Sequence, residues 1–422
     1  MKIAIIGSGI AGLGAAWLLQ RRYDVTLFEQ AGYAGGHTNT FLHRTPEGEV
    51  PVDTGFIVYN EPCYPHLTGL FRTLGVETRA SDMSFGVSIG DGAFEYAGDN
   101  LAKLFVQPAN LVSPAHPRML LQILRFNRLT RRLLRTDRLP RYTLGEFLDQ
   151  HGFGRALRTR YLGPMAGAIW STSTRTVFDY PFPEFAYFFD SHGLLDLVNR
   201  PRWRTVTGGS RRYVEKMLAG FRGRLHLNAP VQQLHRTKDG AWLRVGGEVL
   251  RFDAVIVACH ADQALRLLAD PDEAETAVLR GVPYARNRAV LHTDTGQLPK
   301  RRAAWSSWNY IGREDALNDD PVTVAYWMNR LQGIRAPRDY IVTLNPLTPP
   351  RPETVIHEVE YDHPQYTPAA LITRQRLPEV QGRRRTWYCG AWTGYGFHED
   401  GLKSAVNVAQ ALAVEVPWLN GG

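Results

Sequence analysis

Residues 2–12, Lys-Ile-Ala-Ile-Ile-Gly-Ser-Gly-Ile-Ala-Gly, decide the fold of this chain. The apolar run at residues 2–6 is typical of a buried parallel strand, and a glycine-rich turn follows it at once. Gly7 permits a tight turn, Gly9 lets a pyrophosphate approach the backbone, and Gly12 lets the next helix pack closely on the strand. The pattern predicts a dinucleotide-binding turn, whose residues are Gly7, Ser8, Gly9, Ile10, Ala11 and Gly12.

The residues after this turn complete a β-α-β unit. Residues 13–20 have apolar side chains at helical spacing, and residues 24–29 form a second strand pattern that ends in Glu29. The N-terminus of such a helix supplies free N–H groups to a phosphate. Glu29 follows Gly12 at the distance where an acid accepts hydrogen bonds from both hydroxyls of an adenosine ribose. NAD and FAD both use this unit, and the acid disfavours the 2′-phosphate of NADP.

Two further segments separate these cofactors. Gly35-Gly36-His37-Thr38 follows the acidic strand, and Asp53-Thr54-Gly55 comes after it. This order resembles the flavoproteins related to amine oxidases and phytoene desaturases, in which a Gly-Gly-Arg segment contacts the pyrophosphate side of FAD and an Asp-x-Gly strand lies near the flavin. Because His37 replaces the arginine, the charge at this position depends on protonation. The resemblance implies FAD contacts from Gln30, Gly35, Gly36, His37, Thr38, Thr54, Gly55 and Phe56.

The far end of the chain resembles the same family. Residues 386–389 predict a strand, a Gly-Ala turn follows it, and residues 401–414 predict an amphipathic helix opened by a glycine. In the family, the N-terminus of this helix points at the flavin pyrimidine edge, where it stabilises negative charge on the reduced ring. Val231 matches the adenine-contacting valine of the family, and Ala258 ends a buried strand. The resemblance therefore adds Val231, Ala258, Gly390, Trp392, Gly401 and Leu402 to the implied cofactor contacts.

The segments that match the cofactor-binding part of the family are separated along the chain. They cover residues 1–80, 205–285 and 383–422, and a Gly-Gly turn at residues 208–209 returns the chain to this domain. Residues 81–204 and 286–382 would form an inserted α+β substrate domain. The expected fold class is α/β, with a discontinuous Rossmann-type FAD-binding domain and an inserted substrate domain, as in amine oxidases.

Residues 52–60, 208–213 and 389–401 resemble one bacterial branch of this superfamily, the predicted oxidoreductases encoded beside cyclopropane fatty acid synthases. The resemblance covers essentially the whole chain. It implies hydride transfer to or from the flavin N5 atom, with unsaturated or cyclopropane fatty acyl chains of lipids as substrate. Two alternatives stay open: an oxidase of a soluble amine, and a flavin-bound, non-catalytic partner of a lipid-modifying methyltransferase.

The side chains that handle protons are less clearly indicated. Tyr59, Tyr395 and His398 are close in sequence to flavin-contacting segments and are catalytic candidates. Amine oxidases of this superfamily commonly place a lysine near the flavin N5 atom. The chain has six lysines, and Lys300, in a Pro-rich turn, does not match that role. This mismatch counts against amine oxidation.

Metal ligands and disulfides are not expected. The thirteen histidines show no HExxH pattern, and the three cysteines are far apart with no CxxC pair. Cys389 ends a predicted buried strand rather than lying in the attachment loop of the family. We therefore expect no metal and a non-covalently bound FAD.

The positive charge of the chain is concentrated in one segment. Formal net charge is +8, and residues 118–141 contain eight arginines against one aspartate. Residues 118–135 predict an amphipathic helix that would lie on an anionic bilayer with its apolar face down, or pack in the core with a solvated arginine face. Nucleic acid is not expected, because no recognised binding module accompanies the charge. The predicted apolar face consists of Met119, Leu120, Ile123, Phe126, Leu133 and Leu134.

No run of 18 apolar residues predicts a membrane span, and the first residues lack the features of a signal peptide. We therefore expect a cytoplasmic protein, peripheral on the inner face of the membrane if the basic helix docks there. The second insert is aromatic, and its strands would line a pocket that suits an amine or an acyl chain equally. Its aromatic residues are Trp305, Trp308, Tyr310, Tyr326 and Trp327.

Overall fold

The computed structural model describes residues 1–98, 100–196 and 200–419. The strands in these residues are β1 (Lys2–Ile6), β2 (Asp24–Phe28), β3 (Thr40–Thr45), β4 (Gly48–Asp53), β5 (Val58–Asn60), β6 (Thr78–Ala80), β7 (Phe85–Ile89), β8 (Phe94–Ala97), β9 (Trp203–Val206), β10 (Arg224–His226), β11 (Val231–Thr237), β12 (Gly240–Val245), β13 (Glu248–Phe252), β14 (Ala254–Val257), β15 (Tyr284–His292), β16 (Trp308–Gly312), β17 (Thr323–Trp327), β18 (Ile341–Leu344), β19 (Val355–Pro364) and β20 (Thr386–Tyr388). The helices are α1 (Ile10–Leu19), α2 (Pro65–Leu74), α3 (Leu101–Leu104), α4 (Ala109–Val112), α5 (Ala115–Arg135), α6 (Leu144–Gln150), α7 (Arg155–Leu157), α8 (Gly163–Trp170), α9 (Phe182–Ser191), α10 (Arg211–Ala219), α11 (Ala261–Leu267), α12 (Glu273–Arg280), α13 (Met328–Leu331), α14 (Pro368–Arg376) and α15 (His398–Ala411).

A five-stranded parallel sheet carries the predicted dinucleotide turn. Its strand order is β10-β2-β1-β14-β20. Every residue of β1 after Lys2 is buried, because helices α1, α10 and α15 cover one face and the β11–β13 sheet with α11 and α12 covers the other. The strands come from three separated parts of the chain, each of which lies inside one of the predicted cofactor segments. The fold is mixed α/β, and the domain boundaries themselves stay a prediction.

Glycines bring the first and last helices into close contact with the turn. A Cβ on Gly12 would lie 1.8 Å from the carbonyl oxygen of Gly7, so only glycine allows α1 to start this close to β1. A Cβ on Gly14 would lie 2.7 Å from Leu402 Cδ1, and one on Gly401 would lie 2.8 Å from Ile10 Cγ2. Helix α15 is therefore packed against α1 and begins beside the turn.

A seven-stranded sheet forms the second layer. Its order is β19-β15-β18-β17-β16-β7-β8, and only the β16–β7 pair is parallel within this sheet. The β16–β7 pairing joins the two predicted inserts, with Trp308 opposite Phe85 and Tyr310 opposite Val87. Val324 and Val342 lie in the core of this sheet. Strands that are far apart in sequence thus build one continuous wall.

The basic helix α5 faces the core with its apolar side. Met119 is 1% exposed and Phe126 is 0% exposed, and Phe126 packs edge-on against Phe147 and Phe153. The prediction that this apolar face lies on a bilayer is therefore wrong, because buried side chains of the protein, among them Phe147 and Phe153, already cover it. Among the described residues, no helix has the length and apolar character needed to cross a membrane.

Two helices begin earlier than their patterns predicted. Helix α1 starts at Ile10, directly after the extended residue Gly9 (φ −64°, ψ 179°). Helix α15 starts at His398 and ends at Ala411, where the pattern predicted residues 401–414. Its start is set by Asp400, whose carboxylate accepts a 2.9 Å hydrogen bond from the backbone N–H of Phe397. Gly401 is therefore the fourth residue of α15, and its role is contact with α1.

Candidate active site

A cavity of about 750 Å³ is lined by residues from both sheets and lies at the carboxyl ends of the parallel strands. One end meets the glycine turn, and the other meets β7, β15–β18 and helix α8. The residues predicted from sequence that line it are Gly7, Ser8, Gly9, Ile10, Ala11, Glu29, Gln30, Gly36, His37, Thr54, Gly55, Phe56, Val231, Ala258, Gly390, Trp392, Tyr395 and His398.

The glycine turn leaves room in front of Gly9. Gly7 has φ +99°, a conformation that favours glycine, and a Cβ there would lie 2.9 Å from the carbonyl oxygen of Ala258. A Cβ on Gly9, in contrast, would meet no atom within 4 Å. The open space at Gly9 lies at the N-terminus of α1, whose free N–H groups and dipole favour an anion.

Glu29 is held at the end of β2. Its Oε2 accepts hydrogen bonds from the backbone N–H of Ser8 (2.9 Å) and from Ser8 Oγ (2.6 Å), and its Oε1 accepts one from the N–H of Ala31 (2.8 Å). The side chain is 9% exposed and lines the cavity. Oε1 accepts only one of these bonds and retains a lone pair, so a ribose hydroxyl can still donate to it.

Five of the predicted cofactor residues do not line the cavity. Gly12 and Gly401 serve the helix contacts described above, and Leu402 is fully buried beside Gly14. Gly35 has φ +128°, and a Cβ there would lie 2.8 Å from the carbonyl oxygen of Thr38. Thr38 Oγ1 hydrogen-bonds Tyr213 Oη and lies 3.0 Å from His398 Nε2. These residues support the residues that line the cavity.

His398 is the catalytic candidate with the most defined environment. Its ring stacks on Phe56 with centroids 3.9 Å apart, and its Nε2 lies 2.8 Å from Tyr213 Oη. Burial lowers the pKa of His398 to about 3. The neutral ring orients its neighbours at neutral pH and is not an imidazolium acid.

The other two catalytic candidates have different positions. Tyr395 lines the cavity and packs against Tyr366 at 5.3 Å, and burial raises its pKa. Tyr59 is 2% exposed and packs against Tyr64 and Phe71, with Oη 3.4 Å from Thr78 Oγ1. Tyr59 is not among the lining residues, because β5 turns its side chain into the core; Tyr64 lines the cavity in its place.

A group of histidines at the wall was not predicted. His260 follows β14 and His363 lies in β19, and both line the cavity with His37. The ring of His37 stacks on Tyr361 with centroids 4.7 Å apart. No local pattern links these residues, because the two sheets bring them together only in the folded chain.

The second end of the cavity is apolar. Helix α8 contributes Met165, Ala168 and Ile169, and no described residue of α8 or of β15–β18 that lines the cavity carries a charge. Of the five aromatic residues predicted to line a pocket, Trp308 and Tyr326 do so, in an edge-to-face pair 5.3 Å apart. Trp305, Tyr310 and Trp327 pack instead in the core of the sheet, so that part of the prediction is wrong. Further lining residues here are Met83, Phe85, Trp203, Val342 and Leu344.

The nucleotide end fits FAD. The space at Gly9 matches the approach of a diphosphate, and Glu29 matches a ribose. Val231, at the start of β11, and Ala258 extend the wall on either side. The N-terminus of α15 begins at His398 on the same wall, where its dipole favours negative charge. These residues would hold the dinucleotide along the edge of the parallel sheet.

Comparisons with known proteins agree with this geometry. The family model described as flavin containing amine oxidoreductase matches residues 10–339, more than half of the chain. The CLA-producing fatty acid isomerase from P. acnes has a similar structure, with a TM-score of 0.69 and 15% identity, over 98% of each chain. Cyclohexylamine oxidase from Brevibacterium oxydans gives 0.68 and 16%, over 98% of this chain and 99% of that one.

Two further similarities differ in extent, because one covers nearly the whole chain and the other a short segment. A putative protoporphyrinogen oxidase from Exiguobacterium sp. has a TM-score of 0.67 and 16% identity, over 97% of this chain and 98% of that one. A protein of Acanthamoeba polyphaga mimivirus is 37% identical over 71 residues. That match covers 16% of this chain and 14% of the viral protein, so the chain corresponds to a small part of its length.

Proposed function

The chain belongs to the flavin containing amine oxidoreductase family, and on that premise we propose that it acts on unsaturated or cyclopropane fatty acyl chains of lipids. It is an FAD-dependent oxidoreductase. FAD, when bound, accepts or donates hydride at its flavin N5 atom. The protein then has to bind the acyl chain, orient one C–H bond and exclude water.

The observation that carries the proposal is the apolar lining that α8 and β15–β18 give to one end of the cavity. An acyl chain offers only apolar surface, and burying it against Met165, Ile169 and Leu344 is favourable at about 25 cal/mol per Å². A protonated amine would need a carboxylate or a strongly desolvated cage. The acidic residues that line the cavity in the described chain are Glu29, at the ribose position, and Asp362.

The lysines support the same choice. Lys300 Nζ pairs with Asp91 Oδ1 at 2.7 Å, and its side chain is 55% exposed, outside the cavity. No described lining residue is a lysine. The lysine that amine oxidases of this superfamily commonly place near the flavin has no counterpart in the described cavity wall.

The residues of the chain have separate tasks in this proposal. Phe56 and His398 stack on each other, and both line the cavity. Neutral His398, held by Tyr213, orients this wall without adding charge. The dipole at the start of α15 favours negative charge beside it. Tyr395 remains the candidate for proton handling.

The test uses the holoenzyme without oxygen. Vesicles containing cis-monounsaturated or cyclopropane acyl chains are added, flavin absorbance is followed, and the lipids are then analysed by mass spectrometry. We expect bleaching of the flavin or an altered acyl chain; an isomerisation would alter the double bond and leave the flavin oxidised. Bleaching by amines alone, with unaltered lipids, would contradict the proposal.

The second candidate, amine oxidation, has one observation in its favour. The edge-to-face pair of Trp308 and Tyr326 lines the apolar end, and aromatic faces also receive amines. The structural neighbour from Brevibacterium oxydans is a cyclohexylamine oxidase. A panel of soluble amines in the same anaerobic assay separates the two. If neither lipid nor amine reacts, and the protein co-purifies with a lipid-modifying methyltransferase, the flavin-bound partner role is favoured.

We also propose that the outward side of α5 binds an anionic membrane surface. Leu121 is 67% exposed and Leu124 is 41% exposed, and the neighbouring α4 exposes Leu111 and Val112. Exposed leucines among arginines fit a bilayer interface with acidic headgroups. In the described residues, none of the five exposed arginines on this side has an acidic partner: Arg118, Arg125, Arg128, Arg132 and Arg135.

Vesicle binding tests this surface. Replacing Arg128, Arg132 and Arg135 with glutamine should remove most binding to anionic vesicles and leave FAD bound, because about 1 kcal/mol per arginine is lost. The control replaces three other exposed arginines with glutamine, which changes the net charge by the same amount: Arg44, Arg244 and Arg286. Equal vesicle binding by both triple variants would refute the surface.

A further inference from the structure

Three histidines meet beside the glycine turn. His37 follows the double glycine, His260 follows β14, and His363 lies near the end of β19. The ring centroid of His37 lies 5.4 Å from that of His363 and 6.4 Å from that of His260. All three line the cavity. Separate parts of the chain thus place three imidazoles together at one wall of the cavity.

The backbone holds this histidine cluster against the open space at Gly9. A Cβ on Gly36 would lie 3.1 Å from Gly9 Cα, so the residue before His37 touches the turn. The backbone N–H of Phe56 donates a 2.7 Å hydrogen bond to the carbonyl of His37. The side-chain amide of Asn287 lies within hydrogen-bond distance, 3.2 Å, of His363 Nδ1. The cluster is therefore anchored at the position where a diphosphate would enter.

The groups around the cluster do not make it cationic in the ligand-free protein. Burial, followed by the other histidines, lowers the pKa of His37 well below its usual value. Burial lowers the pKa of His363 to about 4 and also lowers that of His260. The titratable and charged groups that face or act on the cluster are Tyr361 and Asp362 from β19, Asp262 and Arg266 from α11, Tyr284 from β15 and His398 from α15.

Permanent positive charge is scarce at this wall. Arg200 and Arg266 are the permanent cations among the described lining residues. Arg266 pairs with Asp262 at 2.7 Å, and Arg200 Nε donates to the carbonyl of Asp196 at 2.8 Å. The diphosphate of FAD carries two negative charges, and an ion of this charge is costly to bury without cationic partners. The histidines are the groups beside the turn that can become cationic.

We propose that His37, His260 and His363 form the cationic part of the diphosphate site, and that FAD binds together with protons that these rings take from solvent. In this binding equilibrium, the apoprotein, one FAD and n protons form one complex. No covalent bond to the cofactor forms or breaks. Because an anion beside an imidazole favours its charged form, the complex holds more protons than the apoprotein. FAD affinity is then greatest at low pH and falls as pH rises through neutrality, by about tenfold per pH unit for each proton taken up.

Calorimetry counts these protons, with apoprotein that still binds FAD after its own FAD has been removed. FAD is titrated at pH 7 in two buffers with different ionisation enthalpies, and the difference in heat gives the number of protons bound. ADP-ribose, whose diphosphate is esterified at both ends like that of FAD, is titrated in parallel to separate the diphosphate from the flavin. We expect about one proton or more for each ligand. No proton uptake, with a Kd that stays constant from pH 6 to 8.5, would overturn the proposal.

Variants locate the protons. His37→Arg should reduce proton uptake, flatten the pH dependence and bind FAD more tightly than the parent at pH 8.5. His363→Gln should weaken binding at pH 6 and leave it close to the parent at pH 8.5. His235→Gln, on the exposed side of β11, is the control and should match the parent. If His37→Arg does not fold, the same calorimetry is done on His363→Gln and His260→Gln. If these variants bind as many protons with FAD as the parent does, the proposal for the cluster is refuted.

Discussion

The two ends of the cavity are built in different ways. The diphosphate position of the nucleotide end lies at one turn, in which β1, Gly9 and α1 follow each other within residues 2–19. The apolar end is assembled from α8 and from strands β7, β16, β17 and β18, which come from residues 85 to 344. A ligand site made by one turn leaves a local pattern in the sequence. A site made by separated elements leaves only composition.

The difference also determines what a substitution at each end of the cavity would change. At the nucleotide end, backbone N–H groups, one carboxylate and the proposed histidine cluster contact the cofactor, so a single substitution there should act on FAD alone. At the apolar end, many side chains share the contact with substrate, so loss of one methyl group has little effect and a new charge has a large one. Substitutions that act on one end only therefore test whether the two ends are independent.

The largest effect is expected from Gly9→Val. The side chain would fill the space where a Cβ has no neighbour within 4 Å, and φ −64° accepts valine without strain. We expect FAD binding to fall below detection while the apoprotein keeps its melting temperature. Gly220→Val is the control, since its Cβ would have only ordinary contacts, the nearest at 3.5 Å. Retained FAD in Gly9→Val would show that the diphosphate lies elsewhere.

Ile169→Lys tests the apolar end. An unpaired ammonium among apolar side chains should reduce conversion of acyl chains by roughly 100-fold, while FAD content stays that of the parent. Val249→Lys, at a 60% exposed position of β13, controls for the added charge. Undiminished acyl conversion by Ile169→Lys would remove the acyl chain from this end of the cavity.

Glu29→Ala is expected to have a smaller effect. It removes charge-assisted hydrogen bonds to the ribose, worth about 1.5–3 kcal/mol together, which is roughly tenfold to a hundredfold in Kd. Fluorescence titration of FAD measures the change. Glu49→Ala, a carboxylate with 54% of its side chain exposed, should bind FAD like the parent. Equal affinity in Glu29→Ala would mean that the carboxylate serves Ser8 and Ala31 only.

The smallest effect concerns how α15 is tied to α2. Burial raises the pKa of Glu399 to about 7, although the N–H groups of His66 and Leu67 donate to its carboxylate. The folded protein therefore holds this proton more tightly than the unfolded chain. The contribution is largest at low pH and is lost as pH rises from about 4.5 to about 7.

Replacing Glu399 with glutamine should flatten this part of the pH dependence by a few degrees in melting temperature. Differential scanning fluorimetry of the apoprotein between pH 4.5 and 7.5 measures it. Glu415→Gln, at an exposed position, is the control. A slope equal to that of the parent would show that Glu399 titrates alike in both states.

The sequence predicted most where neighbours along the chain determine the structure. Strand β1 has the predicted bounds, and the turn residues Gly7 and Gly9 lie at the cavity. The start of α15 was missed because Asp400, the residue before Gly401, caps the helix. The helix therefore begins at His398, three residues before Gly401. The resemblance implied a glycine at a helix start, whereas the fold uses it as a contact surface for Ile10.

The sequence predicted least where tertiary packing decides. The pattern of α5 separates arginines from apolar residues correctly, but periodicity does not say whether the apolar face meets a bilayer or a core, and the buried Phe126 shows that it meets the core. Tyr59 is near Thr54 in sequence, but strand geometry turns it away from the cavity. His260 and His363 are 103 positions apart, and only the meeting of two sheets places them beside His37.

The measurement that tests the central claim most directly is the absorption spectrum of the bound flavin during titration with a fatty acyl lipid. If the apolar end holds the acyl chain next to the flavin, the spectrum of the oxidised holoenzyme should shift in a saturable way, and Ile169→Lys should lose the shift while keeping its FAD. Soluble amines should leave the spectrum unchanged. A saturable shift with amines and none with any acyl lipid would contradict the account.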